Sequence, residues 1–133
     1  MTLTGHCLCG ESTVEIDASP DSQIVCHCWD CKQTSGSAFS TNVLIPKKDV
    51  KITGAVKEFN IKAPSGNTVT RVFCSNCGSA LSHLSVAFGD SQAIQTGNFR
   101  EFATIPVGTE LFAKDRWTAF APVAGAAQVQ AMP

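Results

Sequence analysis

The 133-residue chain lacks the long apolar runs and the blocks of basic charge that mark two broad classes of protein. No apolar run approaches the roughly 18 to 20 residues of a transmembrane helix, so we expect no membrane span. Only 16% of the residues are charged and the formal net charge is -1. That composition has no basic patch, which argues against a nucleic-acid partner. The stretch from Met1 to Leu8 is too short and too polar for a signal peptide, so we expect a cytoplasmic protein.

Low-complexity tracts and clear internal repeats are also absent, and the length suits one domain spanning residues 1–133. Short runs of alternating apolar and polar residues predict a mainly β fold. One short helix is predicted from Asp30 to about Ser35, with Gly36 ending it, and a second around Phe99 to Ala103. Residues 119–133, rich in alanine and proline, are expected to form a surface tail. The predicted strands are Ser12 to Asp17, Ser40 to Pro46, Val56 to Ala63, Thr68 to Phe73, Ala93 to Thr96 and Glu110 to Ala113.

What the chain has in abundance is cysteine, and every cysteine lies in a short cluster. The clusters are Cys7 and Cys9; Cys26, Cys28 and Cys31; and Cys74 and Cys77. Spacings of two or three residues are those that chelation of one ion requires. Disulfides are a weaker interpretation, because structural disulfides are rare in the cytosol and an odd number of thiols leaves one unpaired. All-sulfur ligation favours zinc, and two zinc ions per chain are expected.

The two pairs of cysteines predict a closed structural site. Cys7 and Cys9 would point the same way from an extended strand, with Leu8 facing the core. Cys74 and Cys77 have the gap of a zinc knuckle, and Gly78 follows where a tight turn needs little side chain. Together the four thiolates would bind one zinc and connect two distant parts of the sheet.

The central trio predicts a different kind of site. Cys26, Cys28 and Cys31 supply three sulfurs, which leaves the fourth position of a catalytic zinc for water or a substrate sulfur. His27 should project away and serve packing or support of the ligands. The alternative is a second closed structural site whose fourth ligand is His83, His6 or Asp30.

Three segments together resemble one known family. They read GHCLCG at 5–10, CHCWDC at 26–31 followed by SGSAF at 35–39, and FCSNCGS at 73–79. They are similar to the glutathione-dependent formaldehyde-activating enzyme (GFA) family, also called the centromere-protein-V-like domain. The resemblance implies a mainly β, Mss4-like fold with two zinc ions. It also implies a structural zinc on Cys7, Cys9, Cys74 and Cys77 and a catalytic zinc on Cys26, Cys28 and Cys31.

The resulting hypothesis is a zinc-dependent carbon-sulfur lyase or synthase. Its substrate would be a small-molecule thiol or thioether, with glutathione as the candidate cosubstrate and formaldehyde or another small electrophile as its partner. The alternative is a non-catalytic zinc-binding module of Mss4-like fold that binds another protein. Exposed sheet edges also favour a homodimer.

Residues outside the clusters are weaker candidates. Ser35, Gly36 and Phe39 follow the zinc-binding turn and are predicted to contact the substrate. His83 has the chemistry of a general base but also suits a half-buried strand position. Lys47, Lys48, Arg71 and Arg100 are candidate partners for substrate carboxylates, with solvated surface charge as the alternative. Trp29 and Trp117 either line a pocket or pack in the core.

Overall fold

A computed structural model describes residues 2–131, which form a mainly β protein with one α-helix in that range. This confirms the expected fold class. The strands are β1 Thr2–His6, β2 Ser12–Asp17, β3 Gln23–Cys26, β4 Ser40–Pro46, β5 Val50–Gly54, β6 Val56–Lys62, β7 Thr68–Cys74, β8 Ala80–Ser85, β9 Ser91–Gln95, β10 Val107–Leu111 and β11 Ala127–Val129. The helix α1 is Trp29–Ser35, and short 3₁₀ turns cover Lys47–Asp49, Val86–Phe88, Thr96–Asn98, Arg100–Thr104 and Ala113–Asp115.

The strands form two sheets. The smaller has the order β1-β2-β5, and the larger has the order β11-β10-β3-β4-β9-β8-β7-β6. Pairing is antiparallel except where β10 lies parallel to both β3 and β11. The C-terminal segment, residues 116–131, therefore supplies the edge strand β11, and β10 lies between β11 and β3, the strand that ends in Cys26. No helix of the described residues is long and apolar enough to cross a membrane.

The apolar core lies between the two sheets. Leu3, Val14 and Ile16 of the smaller sheet pack with one face of the larger sheet and with the 3₁₀ region near Phe99. The larger sheet contributes Val43, Ile45, Val72, Leu81 and Ile94. Because side chains alternate along a strand, the opposite face of the larger sheet is free for other residues.

The helix is fixed at both ends by residues of the central motif. The Sγ of Cys28 accepts a hydrogen bond from the backbone N–H of Cys31 at 3.2 Å, which caps the first turn. Gly36 ends the helix with φ of 65° and donates its N–H to the carbonyl of Lys32. A left-handed residue at this position suits glycine, which has no Cβ penalty there. The predicted helix is confirmed and begins one residue earlier, at Trp29.

The strands β1, β3, β5, β8 and β11 were not predicted, and the sequences of β3 and β8 show why. β3 has only four residues, QIVC, and three of them are buried, so strict alternation is missing. β8 has the sequence ALSHLS, and its polar residues Ser82 and His83 are both buried, which hides the strand from a pattern based on apolar residues. Antiparallel pairing on both sides of β8 outweighs this composition. β1 and β5 form the two edges of the smaller sheet around β2.

Candidate metal centres and the cleft beside them

The structure brings the sulfurs of Cys7, Cys9, Cys74 and Cys77 within 4.8 Å of one another. We call this group the four-cysteine centre. The Sγ atoms of Cys7 and Cys9 are 3.5 Å apart, and those of Cys9 and Cys74 are 3.7 Å apart. Sulfurs at the corners of a tetrahedron around zinc would be separated by about 3.8 Å, given Zn–S bonds of about 2.3 Å. The group therefore fits one tetrahedral metal ion.

Hydrogen bonds from the main chain support the thiolate form of these cysteines. The N–H of Ser12 donates to Cys7 Sγ at 3.2 Å, and the N–H groups of Asn76 and Cys77 donate to Cys74 Sγ at 3.4 Å. The side-chain hydroxyl and backbone of Ser79 lower the pKa of Cys77 to about 5. Thiolates are the metal-binding form, so these bonds prepare the ligands.

The sequence predicted that Cys7 and Cys9 lie on a strand, but the structure places neither of them on one. β1 ends at His6, and the two cysteines occupy the turn before β2. Leu8 is 90% exposed and does not face the core, so that prediction was wrong. The turn returns at Gly10, whose φ is 82° and whose N–H bonds the carbonyl of Cys7 at 3.1 Å. The turn after Cys74 is one residue longer: the N–H of Gly78, whose φ is 80°, bonds the carbonyl of Cys74 at 2.9 Å.

The sulfurs of Cys26, Cys28 and Cys31 also lie within 4.8 Å of one another, and we call them the three-cysteine centre. Cys26 ends β3, Cys28 caps α1, and Cys31 lies in its first turn. Within residues 2–131, no histidine nitrogen or carboxylate oxygen joins the three sulfurs at that spacing. Three sulfurs at this separation fit a metal ion that takes three protein ligands.

The three thiols are electrostatically different. Hydrogen bonds from Cys26 and Cys28 lower the pKa of Cys31, helped by the hydroxyl of Ser40 and the positive charge of Arg71. Hydrogen bonds to Cys28 and Cys31 raise the pKa of Cys26, and burial and the charges of those two sulfurs raise it further. A divalent cation would remove this repulsion, so the cluster has the donor set that a thiophilic ion requires.

His27 projects away from the three sulfurs, as expected, and meets a buried carboxylate. Its Nε2 lies 2.8 Å from Oε1 of Glu110, and both side chains are only 2% exposed. Glu110 also accepts hydrogen bonds from the N–H of Val123 at 2.8 Å and from Nε2 of Gln128 at 2.6 Å. Arg116 completes the group with its Nε 3.6 Å from Oε1. These contacts hold the loop between Cys26 and Cys28 against residues of the C-terminal segment.

Three hydrogen-bond partners and one nearby cation around a single carboxylate have a clear electrostatic consequence. Burial alone would raise the pKa of Glu110, but the bonds from Gln128, His27 and Val123 and the charge of Arg116 lower it to about 2. Glu110 is therefore ionised at neutral pH. A buried charge therefore supports the loop of the three-cysteine centre.

A row of polar side chains runs across the larger sheet on the face away from the core. We call Ser40, Asn42, Gln95, His83 and Arg71 the polar row. Ser40 is paired with Cys26, Asn42 with Gln95, and Arg71 with His83 across neighbouring strands.

The polar row forms a chain of contacts that leads from Cys31 to His83. Asn42 donates to Oγ of Ser40 at 2.8 Å, and Gln95 Nε2 donates to Oδ1 of Asn42 at 2.9 Å. The same amide lies 3.2 Å from Nδ1 of His83. Since Ser40 hydrogen-bonds Cys31, the sulfur and the imidazole belong to one hydrogen-bonded network.

His83 lies beside the three-cysteine centre but does not bind its sulfurs. Burial, and then the charge of Arg71, lowers its pKa to about 4, so the ring is neutral at pH 7. With Nδ1 accepting from the amide of Gln95, the ring proton is on Nε2. In this form the imidazole can donate a hydrogen bond at Nε2. Its predicted role as a general base would require the other tautomer.

A cleft of about 160 Å³ opens at the end of the polar row. Thr34 of α1, Phe59 of β6, Arg71 of β7 and Gln95 of β9 line it. The guanidinium of Arg71 also approaches Cys31 Sγ, with Nη1 at 3.9 Å and Nη2 at 4.0 Å. Arg71 thus connects the cleft to the three-cysteine centre.

The residues predicted to contact substrate lie just beyond Thr34. The hydroxyl of Ser35 bonds main-chain oxygens, at 2.7 Å from Cys31 and 3.2 Å from Phe39. Gly36 is the helix cap described above. Phe39 packs edge-on against His27 and Phe120, with ring centroids 5.7 and 5.8 Å apart. The observed contacts of all three residues shape the loop, and their role in substrate binding stays a prediction.

Trp29 and Trp117 do not pack in the core: they are 59% and 45% exposed. Both line an open groove of about 530 Å³ on the surface. Between them lies the buried side chain of Lys32, whose Nζ is 4.1 Å from the Trp29 ring centroid and 6.0 Å from that of Trp117. Lys32 Nζ also donates to the carbonyl of Asp115. Trp29, which follows Cys28 in the chain, and Trp117 therefore both contact the Lys32 ammonium group.

Glu110, Ser40, Asn42 and Gln95 were not among the predicted site residues. Asn42 and Gln95 each lie in a predicted strand, where a polar residue in an alternating run normally indicates the solvent face. They are partners across β4 and β9, and such pairing over 53 residues leaves no local signal. A search for polar residues on the strand face that also carries Cys26 would have found them.

The comparisons with known proteins agree with this architecture. Residues 2–115 match the family model described as glutathione-dependent formaldehyde-activating enzyme. The crystal structure of a Rhodobacter sphaeroides protein is similar in fold, with a TM-score of 0.60 and 14% sequence identity, over 80% of this chain and 99% of that one. No curated protein matches the chain.

Proposed function

The chain belongs to the glutathione-dependent formaldehyde-activating enzyme family, and from that membership we propose that it is a zinc-dependent carbon-sulfur lyase or synthase. The proposed substrates are a small thiol, with glutathione as the candidate, and a small carbonyl compound such as formaldehyde. In the reverse direction the substrate is the adduct of the two.

The three-cysteine centre is the observation that carries this proposal. Its three sulfurs are gathered at ligand spacing, and no histidine or carboxylate among residues 2–131 shares the group. The four-cysteine centre offers a complete tetrahedral set in the same chain, so the difference between the two is a property of this sequence. A zinc ion with three protein ligands supplies a Lewis acid that favours the thiolate form of a substrate sulfur near neutral pH.

The proposed reaction is balanced without a redox partner. In the synthetic direction the sulfur lone pair forms a bond to the carbonyl carbon, and the carbonyl π electrons move to oxygen. The proton lost by the thiol is gained by that oxygen, which becomes a hydroxyl. In cleavage the carbon-sulfur electron pair returns to sulfur as the hydroxyl proton leaves.

The protein's own residues would position these groups. Glu110 and His27 hold the loop that carries Cys26 and Cys28. Ser40 and Arg71 act on Cys31, and Arg71 also lines the cleft. Holding the reactants close in a fixed orientation is itself a large part of catalysis.

Metal analysis and exchange spectroscopy would test the proposal. Purified protein should contain two zinc ions per chain. Two-dimensional exchange NMR of glutathione with labelled formaldehyde should show faster formation and cleavage of the adduct than in buffer alone. Cys28→Ser should lose one zinc and most of this acceleration.

Cys28→Ser is a selective change, because serine is a favoured helix N-cap and should preserve the cap on α1. Cys77→Ser is the matched control: it should weaken metal binding at the four-cysteine centre, and its main effect should be a lower stability of the fold. If Cys28→Ser lost one zinc but left turnover of every thiol adduct untouched, the proposal would be wrong. Two equally inert ions and no acceleration would favour the non-catalytic zinc module.

A further inference from the structure

Arg71 lines the cleft and also lies beside the three-cysteine centre. Its guanidinium nitrogens Nη1 and Nη2 lie 3.9 and 4.0 Å from Cys31 Sγ. These separations are at the limit of a hydrogen bond to sulfur, so the guanidinium is only weakly engaged there. Its third nitrogen, Nε, is buried and has no hydrogen-bond partner. A buried N–H without a partner is costly and uncommon, so this nitrogen calls for an acceptor.

The surroundings of Arg71 offer few acceptors of their own. His83, its cross-strand partner on β8, is buried and neutral at pH 7, and its Nδ1 is taken by Gln95. On the other side, its partner on β6 is Phe59, which is 59% exposed. The guanidinium is therefore flanked by an aromatic ring and an imidazole, with the open cleft beside it. Such a position suits a planar cation that binds an oxygen anion from outside the chain.

The distance to Cys31 restricts which oxygen Arg71 can meet. A substrate sulfur completing a tetrahedron with the three cysteines would lie about 3.8 Å from Cys31 Sγ. The guanidinium nitrogens of Arg71 are 3.9 and 4.0 Å from Cys31 Sγ, so an oxygen two or three bonds from the substrate sulfur can meet them when that sulfur lies on the Arg71 side of Cys31. The carboxylates of glutathione are many bonds further along the molecule.

We propose that Arg71 is a substrate-binding residue that recognises an oxygen anion carried close to the reacting sulfur. In a thiol adduct that oxygen is the one attached to the carbon that bears the sulfur. This inference rests on the proposed function, because it assumes that a substrate sulfur binds at the three-cysteine centre. The polar row supports this role: burial keeps His83 neutral beside the guanidinium, which avoids a second cation there, and Gln95 donates to Nδ1 of His83.

Two small thiols of similar length test the proposal without any turnover. Thioglycolate has a carboxylate next to the carbon that bears its sulfur, whereas 2-mercaptoethanol has a neutral hydroxyl there. The dissociation constants of both are measured by calorimetry on zinc-loaded wild-type protein, Arg71→Met and the control Arg100→Met. Arg100 is an exposed arginine outside the cleft. The readout is the ratio of the two dissociation constants for each variant, because the difference in acidity between the two thiols is the same for every variant.

The wild type and Arg100→Met should prefer thioglycolate, and Arg71→Met should reduce that preference by about 10- to 100-fold, as expected for charge-assisted hydrogen bonds. Arg71→Lys should retain part of it, since lysine keeps the charge but not the planar fork. If Arg71 served only as a counter-ion to the thiolates, Arg71→Met would weaken the binding of both thiols by the same factor, and the proposal would be overturned.

The same data separate this inference from the proposed function. Should the wild type bind both thiols with equal affinity, Arg71 would not recognise the oxygen, while the thiol-binding centre would stand. If neither thiol bound a protein carrying both zinc ions, the premise itself would fail. Where Arg71→Met proved unable to hold zinc, the ratio in the wild type and in Arg71→Lys would still decide.

Discussion

The carboxylate of Glu110 joins the loop of the three-cysteine centre to the C-terminal segment, and replacing it with glutamine should be strongly destabilising. Oε1 receives His27 Nε2 at 2.8 Å and lies near Arg116, while Oε2 receives the N–H of Val123 and the amide of Gln128. Glutamine has nearly the same volume but only one acceptor oxygen. The NH₂ of its amide group would therefore replace one of the two acceptor oxygens and face one of the two sets of donors.

The expected loss follows from these contacts. Hydrogen bonds to charged groups contribute about 1.5–3 kcal/mol each, and removing one partner of a buried ion pair costs about 3–5 kcal/mol. Since glutamine can keep one set of donors, we expect Glu110→Gln to lower the free energy of unfolding by about 2–4 kcal/mol. That is a large part of the roughly 5–15 kcal/mol of a typical domain.

Urea unfolding at pH 7 with the free zinc concentration held constant would measure this change, because bound metal otherwise shifts the apparent stability. Glu58→Gln is the control: Glu58 is exposed on β6, and its replacement should stay within about 0.5 kcal/mol. Hydrogen exchange should also show faster exchange in residues 121–131 of Glu110→Gln. A loss below about 0.5 kcal/mol with unchanged exchange would refute the role assigned to the buried carboxylate.

Two further predictions concern single positions. Gly54→Ala should destabilise the protein by more than Gly66→Ala. Both glycines have a positive φ, 95° for Gly54 and 88° for Gly66. A Cβ at Gly54 would meet the carbonyl oxygen of Glu11 at 2.0 Å, whereas a Cβ at Gly66 would meet nothing within 4 Å. Gly66→Ala alone should cost about 1–2 kcal/mol for its backbone conformation, and equal losses in thermal unfolding would contradict the clash. NMR titration should find His83 neutral down to about pH 5, with a pKa near 4 and its proton on Nε2. The pKa of His83 in the folded protein lies below the unfolded value of about 6.5. The stabilising contribution of neutral His83 is therefore complete above pH 6.5 and is lost as the pH falls toward 4. A titration of His83 near pH 6.5 would refute the lowered pKa.

Cysteine spacing predicted both clusters because chelation by short-range pairs leaves a local signature. Cys28 and Cys31 are separated by one helical turn, and Cys74 and Cys77 by a tight turn at Gly78, so their convergence depends on few residues. The prediction for Leu8 failed because the same sulfur spacing also occurs in a turn, and the alternation of a strand cannot be told apart over three residues. Nothing near Leu8 in the sequence distinguishes the two conformations.

The residues around the centres could not be predicted in the same way, because they meet through sheet register. His27 and Glu110 are 83 positions apart, and Arg71 and Cys31 are 40 apart. Each contact depends on the order β10-β3-β4-β9-β8-β7, in which strands distant in sequence become neighbours. Burial of Glu110 is also contrary to its composition, since carboxylates are rarely buried without partners. Only the assembled sheet shows that Glu110 has four partners.

The central claim is that the three-cysteine centre binds the sulfur of a substrate. A crystal soaked with glutathione and measured at the zinc absorption edge tests it most directly. We expect two anomalous peaks per chain, with the glutathione sulfur about 2.3 Å from the metal held by Cys26, Cys28 and Cys31, and only protein sulfurs around the other. A fourth protein ligand closing the three-cysteine centre, with glutathione bound elsewhere or not at all, would contradict the claim.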